Sequence, residues 1–222
     1  MFRKSLAAAL ALMIVLAAGA ATAGHHWKKG IEGSGDQETR QLELGEFNRI
    51  AIGGAFELEA SLGDEQQVAV TIDDNLWDNL VTEINGKTLR IGWKENCSPD
   101  VDCRLVVTVK ELKGLDVHGA SDVFIADFRG DSFEFDVSGA AELEMSGQVD
   151  DLKISVSGAG EINTRELKAK NVEISVSGAG EADVYASESF HGKVSGVGDI
   201  TYWGDPEEKK TSVSGMGEIR GK

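Results

Sequence analysis

Acidic side chains recur at a near-constant interval along much of this chain: Asp122, Glu142, Glu161, Glu181, Asp199 and Glu218. Each holds the same place in a seven-residue phrase, as in Val156-Ser157-Gly158-Ala159-Gly160-Glu161-Ile162. If successive copies stack one strand spacing apart, neighbouring carboxylates lie about 5 Å from one another. Like charges at that range raise each other's pKa. Two outcomes follow. A cation can relieve the repulsion, calcium being suited to carboxylate oxygens, or the side chains can splay apart as a solvated acidic edge. A looser upstream copy, Ile52-Gly53-Gly54-Ala55-Phe56-Glu57-Leu58, offers Glu57 as an extension of the row.

Other reactive residues are few, and their meaning depends on the N-terminus. Arg3 and Lys4 precede an apolar stretch from Leu6 to Ala18, and Ala21-Thr22-Ala23 follows as a small-residue cleavage site. Residues 1–23 therefore read as a secretory signal peptide. The apolar run is nearly long enough for an uncleaved anchor, but the cleavage site favours removal, with no membrane insertion afterwards. No cysteine follows the site, so no lipid-modified terminus is expected. Cleavage leaves Gly24-His25-His26 at the new N-terminus. Its amine, the backbone amides of His25 and His26, and the His26 ring supply four nitrogens suited to square-planar copper or nickel. Cys97 and Cys103 enclose Ser98-Pro99-Asp100-Val101-Asp102. In an exported chain such a pair is expected to form one structural disulfide.

Catalysis has little support. His118 occupies the Ser slot of its repeat and is expected to point outward. The repeated Ser residues have no His recurring in register to act as base. No carboxylate breaks the repeat, as a catalytic one would, so a non-enzyme is expected and no cofactor is required. The net charge of −16, or −18 once Arg3 and Lys4 are removed, repels phosphate backbones and anionic headgroups. A nucleic-acid partner is excluded on that ground, and a cationic one is favoured.

The elements that must position the acids follow from the same phrase. Its invariant Gly falls at 119, 139, 158, 178, 196 and 215, giving steps of 20, 19, 20, 18 and 19 residues. Such a period signals a solenoid. Within a copy, Leu152, Ile154, Val156, Gly158, Gly160 and Ile162 share one parity, and Ser155, Ser157, Ala159 and Glu161 share the other. Period-2 alternation turns the aliphatic set inward and the Ser/Ala/Glu set to solvent. A single turn cannot bury its apolar face alone, whereas stacked turns bury a continuous core. The fold class is all-β: a single-stranded parallel β-helix of about 19–20 residues per coil, whose six full copies extend roughly 30 Å.

Residues 24–44 read as a flexible lead-in, residues 45–222 as the β-helix domain, and 116–220 as its regular part. Between them lie strands at Phe47–Ile52, Phe56–Leu62, Val68–Ile72, Leu80–Ile84, Thr88–Trp93 and Leu105–Val109. A helical turn is expected near Trp77. Asn85-Gly86 between two alternating runs is a strong hairpin signal.

The phrase Val-Ser-Gly-Ala-Gly-Glu-Ile at this period, preceded by Phe47-Asn48-Arg49-Ile50, the strands at Val68–Ile72 and Leu89–Trp93, and Leu115 to Val123, resembles the GIN domain. That family is described as the putative auto-transporter adhesin head domain and has no assigned function. The resemblance spans roughly residues 45 to 220. It implies a right-handed parallel β-helix in exported bacterial proteins, whether periplasmic, secreted or on the cell surface, and it carries over no catalytic residues. Lys222 follows directly on the last repeat, so no translocator barrel or sorting signal is expected. The expected role is adhesin-like binding at the cell envelope, with an envelope protein or a polysaccharide as partner. The alternatives are a polysaccharide-active β-helix enzyme and a purely structural envelope protein.

Overall fold

In the computed structural model, which describes residues 30–222, stacked parallel coils form a β-solenoid of about 5 turns. The chain enters through β1 (Ile31–Glu32) and β2 (Gln37–Gln41), then β3 (Arg49–Ile52), β4 (Ala55–Leu62) and β5 (Gln67–Asp73). A short 3-10 helix (Asp74–Asn79) leads to the hairpin of β6 (Leu80–Asn85) and β7 (Thr88–Trp93), followed by β8 (Cys97–Ser98), β9 (Arg104–Val109) and β10 (Gly114–Val117). The regular coils are β11 (Ala120–Val137), β12 (Ala140–Val156), β13 (Ala159–Val176) and β14 (Ala179–Val194). The last rungs are β15 (Val197–Trp203), β16 (Glu208–Val213) and β17 (Ile219–Gly221).

The expected face assignment is the observed one. Ile50, Leu89, Leu115, Phe135, Ile154 and Ile174 stand in register across successive rungs, each at most 1% exposed. A second inward column, Leu58, Val123, Leu143, Ile162, Ala182 and Ile200, is at most 3% exposed. Burying each Val, Leu or Ile contributes about 1.5–3 kcal/mol, so the core is a line of small increments shared between neighbouring coils. Where Gly192 interrupts the first column, the ring of Phe190 lies against it, and that ring stacks on Tyr202 at 4.2 Å.

The varying coil length has a local origin. Pairing is continuous through the phrase; the register shifts at one corner between β11 and β12 and between β12 and β13, and between β13 and β14 it shifts there and again between Ala169 and Asn171. Ile125 to Phe128 spans three residue steps where the next coil uses two, Met145 to Gly147. Coils of 20 and 19 residues are thereby stacked without disturbing the phrase. Asp127, at φ 54°, takes the left-handed turn at this corner.

At the phrase itself the corner glycines are required sterically. A Cβ on Gly158 would lie 1.8 Å from the carbonyl oxygen of Gly139 in the coil beneath, so the backbones meet where no side chain fits.

Two expectations need correction. The segment from Ile31 is not a flexible lead-in: β2 pairs antiparallel with β5, and β1 pairs parallel with β8. Its polar sequence hid this because β2 is an edge strand with no apolar face to bury. The first coil is closed by antiparallel pairing of β5 with β2 and β9. At the centre of this closure the buried carboxylate of Asp73 accepts hydrogen bonds from the backbone N–H groups of Gly35 at 2.8 Å, Asp100 at 3.1 Å and Val101 at 3.4 Å.

The second correction concerns the disulfide. Cys97 and Cys103 are free thiols. Cys97 is half-buried in β8, whereas Cys103 is buried and directs its Sγ to the carbonyl of Val101 at 3.8 Å. Burial, together with the nearby Asp73, Asp102 and Cys97, pushes the Cys103 thiol up to about 11, so it stays protonated and weakly nucleophilic.

Candidate functional site

The acidic residues are brought together as the spacing requires. Asp122 pairs with Glu142, Glu142 with Glu161, Glu161 with Glu181, and Glu181 with Asp199. Glu57 pairs with Asp122 and extends the row upstream. At the other end the backbone N–H of Glu218 donates to Asp199 Oδ1 at 2.7 Å. Seven carboxylates thus form a ladder with one acid per rung, about 4.8 Å apart.

The ladder belongs to a flat outer wall. Ala55, Ala120, Ala140, Ala159 and Ala179 run alongside it in register, and Val197 continues that row. Small side chains beside the acids keep the wall level.

Electrostatics differ along the ladder. The Glu142 carboxyl is held above its usual range, first by partial burial and then by the charges of Glu161, Asp122 and Glu144. Each end of the row meets an arginine. Arg104, in register with Glu57, contacts its carboxylate at 2.9 Å, and Arg220 contacts Glu218 at 2.6 Å. The hydrogen bond from Arg220 pulls the Glu218 carboxyl below its usual range. These arginines were not anticipated from the sequence. Arg104 lies outside the repeated phrase, and the one usable signal for Arg220 is its place two residues after the last acid.

Calcium takes 6–8 oxygens around a point, while this geometry offers one carboxylate per rung along a line. Among the described residues no three His, Cys, Asp or Glu side chains group as a metal site. The copper or nickel site expected at Gly24, His25 and His26 lies outside the described residues. His118 is exposed, as expected, with Nδ1 2.9 Å from Ser138 Oγ.

Fold and wall together define a β-solenoid with one flat, acid-striped face. Comparison with protein families places the chain further: residues 46–206 match "Putative auto-transporter adhesin, head GIN domain", and the chain belongs to that family. Among solved structures it is similar to a putative adhesin from Bacteroides fragilis, with 24% identity, TM-score 0.67, and coverage of 87% of this chain and 100% of the other. It is similar also to a putative lipid binding protein from Parabacteroides distasonis, with 27% identity, TM-score 0.59 and the same coverage. A putative adhesin from the same organism has 18% identity and TM-score 0.52, again over 87% and 100%. No curated protein matches this chain.

Proposed function

We propose that this protein is an exported, non-catalytic binding module of a bacterial cell envelope. Its acid-striped wall docks a basic surface of an envelope protein or an amine-bearing polysaccharide. The observation that carries this reading is the ladder itself: seven carboxylates in unbroken register on an exposed wall, beside a row of alanines. Repetition of one charge at one spacing suits a partner with repeated cationic groups. It does not suit a reaction, which would need one carboxylate set apart from the rest. Membership of an adhesin family supports the same direction. One relative is named a putative lipid binding protein, but the acidic wall here disfavours anionic headgroups.

The test is cosedimentation of the purified protein with isolated bacterial envelopes. Binding that weakens with salt, and weakens further in the triple variant Glu142→Gln, Glu161→Gln, Glu181→Gln, is the expected result. No cosedimentation, or equal binding by the variant, overturns the reading. Release of reducing ends from a polysaccharide, lost on Glu161→Gln, would replace it with an enzyme.

A further inference from the structure

Where the first rungs meet the segment between β7 and β9, a groove of about 780 Å³ opens on the outside of the solenoid. That lies within the roughly 300–1,000 Å³ usual for small-molecule sites. Its floor is made of small residues. A Cβ on Gly92 would lie 2.5 Å from the carbonyl oxygen of Gly53, so the backbones are in close contact there, and both glycines line the groove. Along the groove stand Trp93, Arg90, Glu95, Asn96 and His118.

Three features mark this as a built site. The Trp93 ring is braced by stacking on Phe56, with centroids 5.6 Å apart and planes at 18°, so its orientation is fixed before any ligand arrives. Among the described residues, the Arg90 guanidinium and the Asn96 side-chain amide hold no hydrogen bond or ion pair. Among the six full copies of the phrase, the one change of residue type in the Ser column falls on this rim. Positions 138, 157, 177, 195 and 214 are Ser, and Ser157 Oγ donates to the carbonyl of Val137 at 3.0 Å, whereas position 118 is His. The repeat is broken where the groove begins.

The chemistry of the lining selects a class of ligand. Arg90 and Glu95 offset each other in charge, Asn96 offers both donor and acceptor capacity, and His118, whose Nδ1 is engaged by Ser138, offers its Nε2. That mixed set fits hydroxyl and amide groups, which donate and accept, better than a run of single charge. A half-buried, fixed indole suits the flat C–H face of a pyranose ring. The protein's net charge of −16 disfavours a polyanionic glycan. We propose that this groove binds a short neutral glycan, two or three uncharged hexose or N-acetylhexosamine units, at a site that borders the upstream end of the acidic wall at Ala55.

The purified protein would be titrated with cellotriose, maltotriose, chitotriose and trigalacturonate by calorimetry and saturation-transfer NMR. At least one neutral trisaccharide is expected to bind with a Kd of about 1 mM or tighter. Arg90→Ala and Trp93→Phe should each weaken it by about tenfold, with circular dichroism unchanged. No binding of any neutral trisaccharide at about 10 mM overturns the proposal. So does binding of trigalacturonate alone, or an affinity indifferent to both substitutions. The envelope assay and these titrations report on different surfaces, so failure of one leaves the other standing.

Discussion

The two ends of the solenoid treat the same exposed core differently. At the N-terminal end, β5 and the 3-10 helix cover the first coil, and Val68, Val70, Ile72 and Leu76 are each at most 1% exposed. At the other end every residue of β16 is exposed. Val213, which continues the column through Val176 and Val194, is 44% exposed while Val194 is fully buried. A coil placed between two others needs only the repeated phrase, because its neighbours supply the partners. A coil at an end needs something the repeat cannot encode. The N-terminal closure is accordingly non-repetitive in sequence, and it is also where the side chains are most varied.

Substitutions can break or sharpen this comparison. The largest effect is expected inside the repeats. Gly158→Ala puts a methyl on the carbonyl of Gly139 and should lower stability by about 3 kcal/mol or more, a fall of about 10 °C in Tm. Gly160→Ala, whose Cβ would meet the side chains of Val156 at 3.1 Å and Ile162 at 3.7 Å rather than backbone, should stay within about 1 kcal/mol. Equal losses from the two in thermal melts would mean that the corner glycines are not the points of backbone contact.

A somewhat smaller and more local effect is expected in the N-terminal closure. Asp73→Ala strands three backbone N–H groups and should cost about 2–3 kcal/mol. Hydrogen exchange should then accelerate in residues 31–41 and 97–103 while the β12–β14 coils stay protected. Acceleration throughout would show that the closure and the coils unfold as one unit.

The smallest effect belongs to the ladder. Because the Glu142 carboxyl is raised in the folded state, it binds its proton more tightly folded than unfolded. This favours the fold at low pH, and the advantage is lost as pH rises through the folded-state pKa. Glu142→Gln should therefore raise Tm by about 1–3 °C at neutral pH and by nothing measurable near about pH 3. Glu134 has the opposite sign. The hydrogen bond from Arg49 at 3.0 Å holds its carboxyl low, so its contribution is present above the unfolded pKa and fades as pH falls through the folded one. A destabilised Glu142→Gln at neutral pH would show that the ladder is bridged rather than repelling.

How much of this was legible in the sequence follows the same division. The phrase around Gly158 and Glu161 disclosed the coil, the inward column and the acid ladder, because side-chain parity and a repeated period need no long-range information. Asn85-Gly86 disclosed the β6–β7 hairpin for the same local reason. Gln37 to Gln41 disclosed nothing, since an edge strand is held by the backbone of β5 rather than by an apolar face. The close spacing of Cys97 and Cys103 suggested a bond, but the fold turns one thiol toward Val101 and buries it. Arg90, Trp93 and Asn96 come from β7 and the loop after it, and His118 comes from the first repeat; nothing in the sequence links the two segments, so only the folded arrangement reveals the groove.

The bulged corner that absorbs the difference between coils of 19 and 20 residues has a consequence for how such a gene can change. A codon gained or lost there alters one turn and leaves the glycine column and the acid row in place. The same event between Val156 and Glu161 would turn every later side chain in that strand to the opposite face. Each coil therefore has one corner that tolerates copying errors and one that does not. Unequal exchange between coils of different length still rejoins them in register, and each coil added carries one more carboxylate and about 4.8 Å of wall.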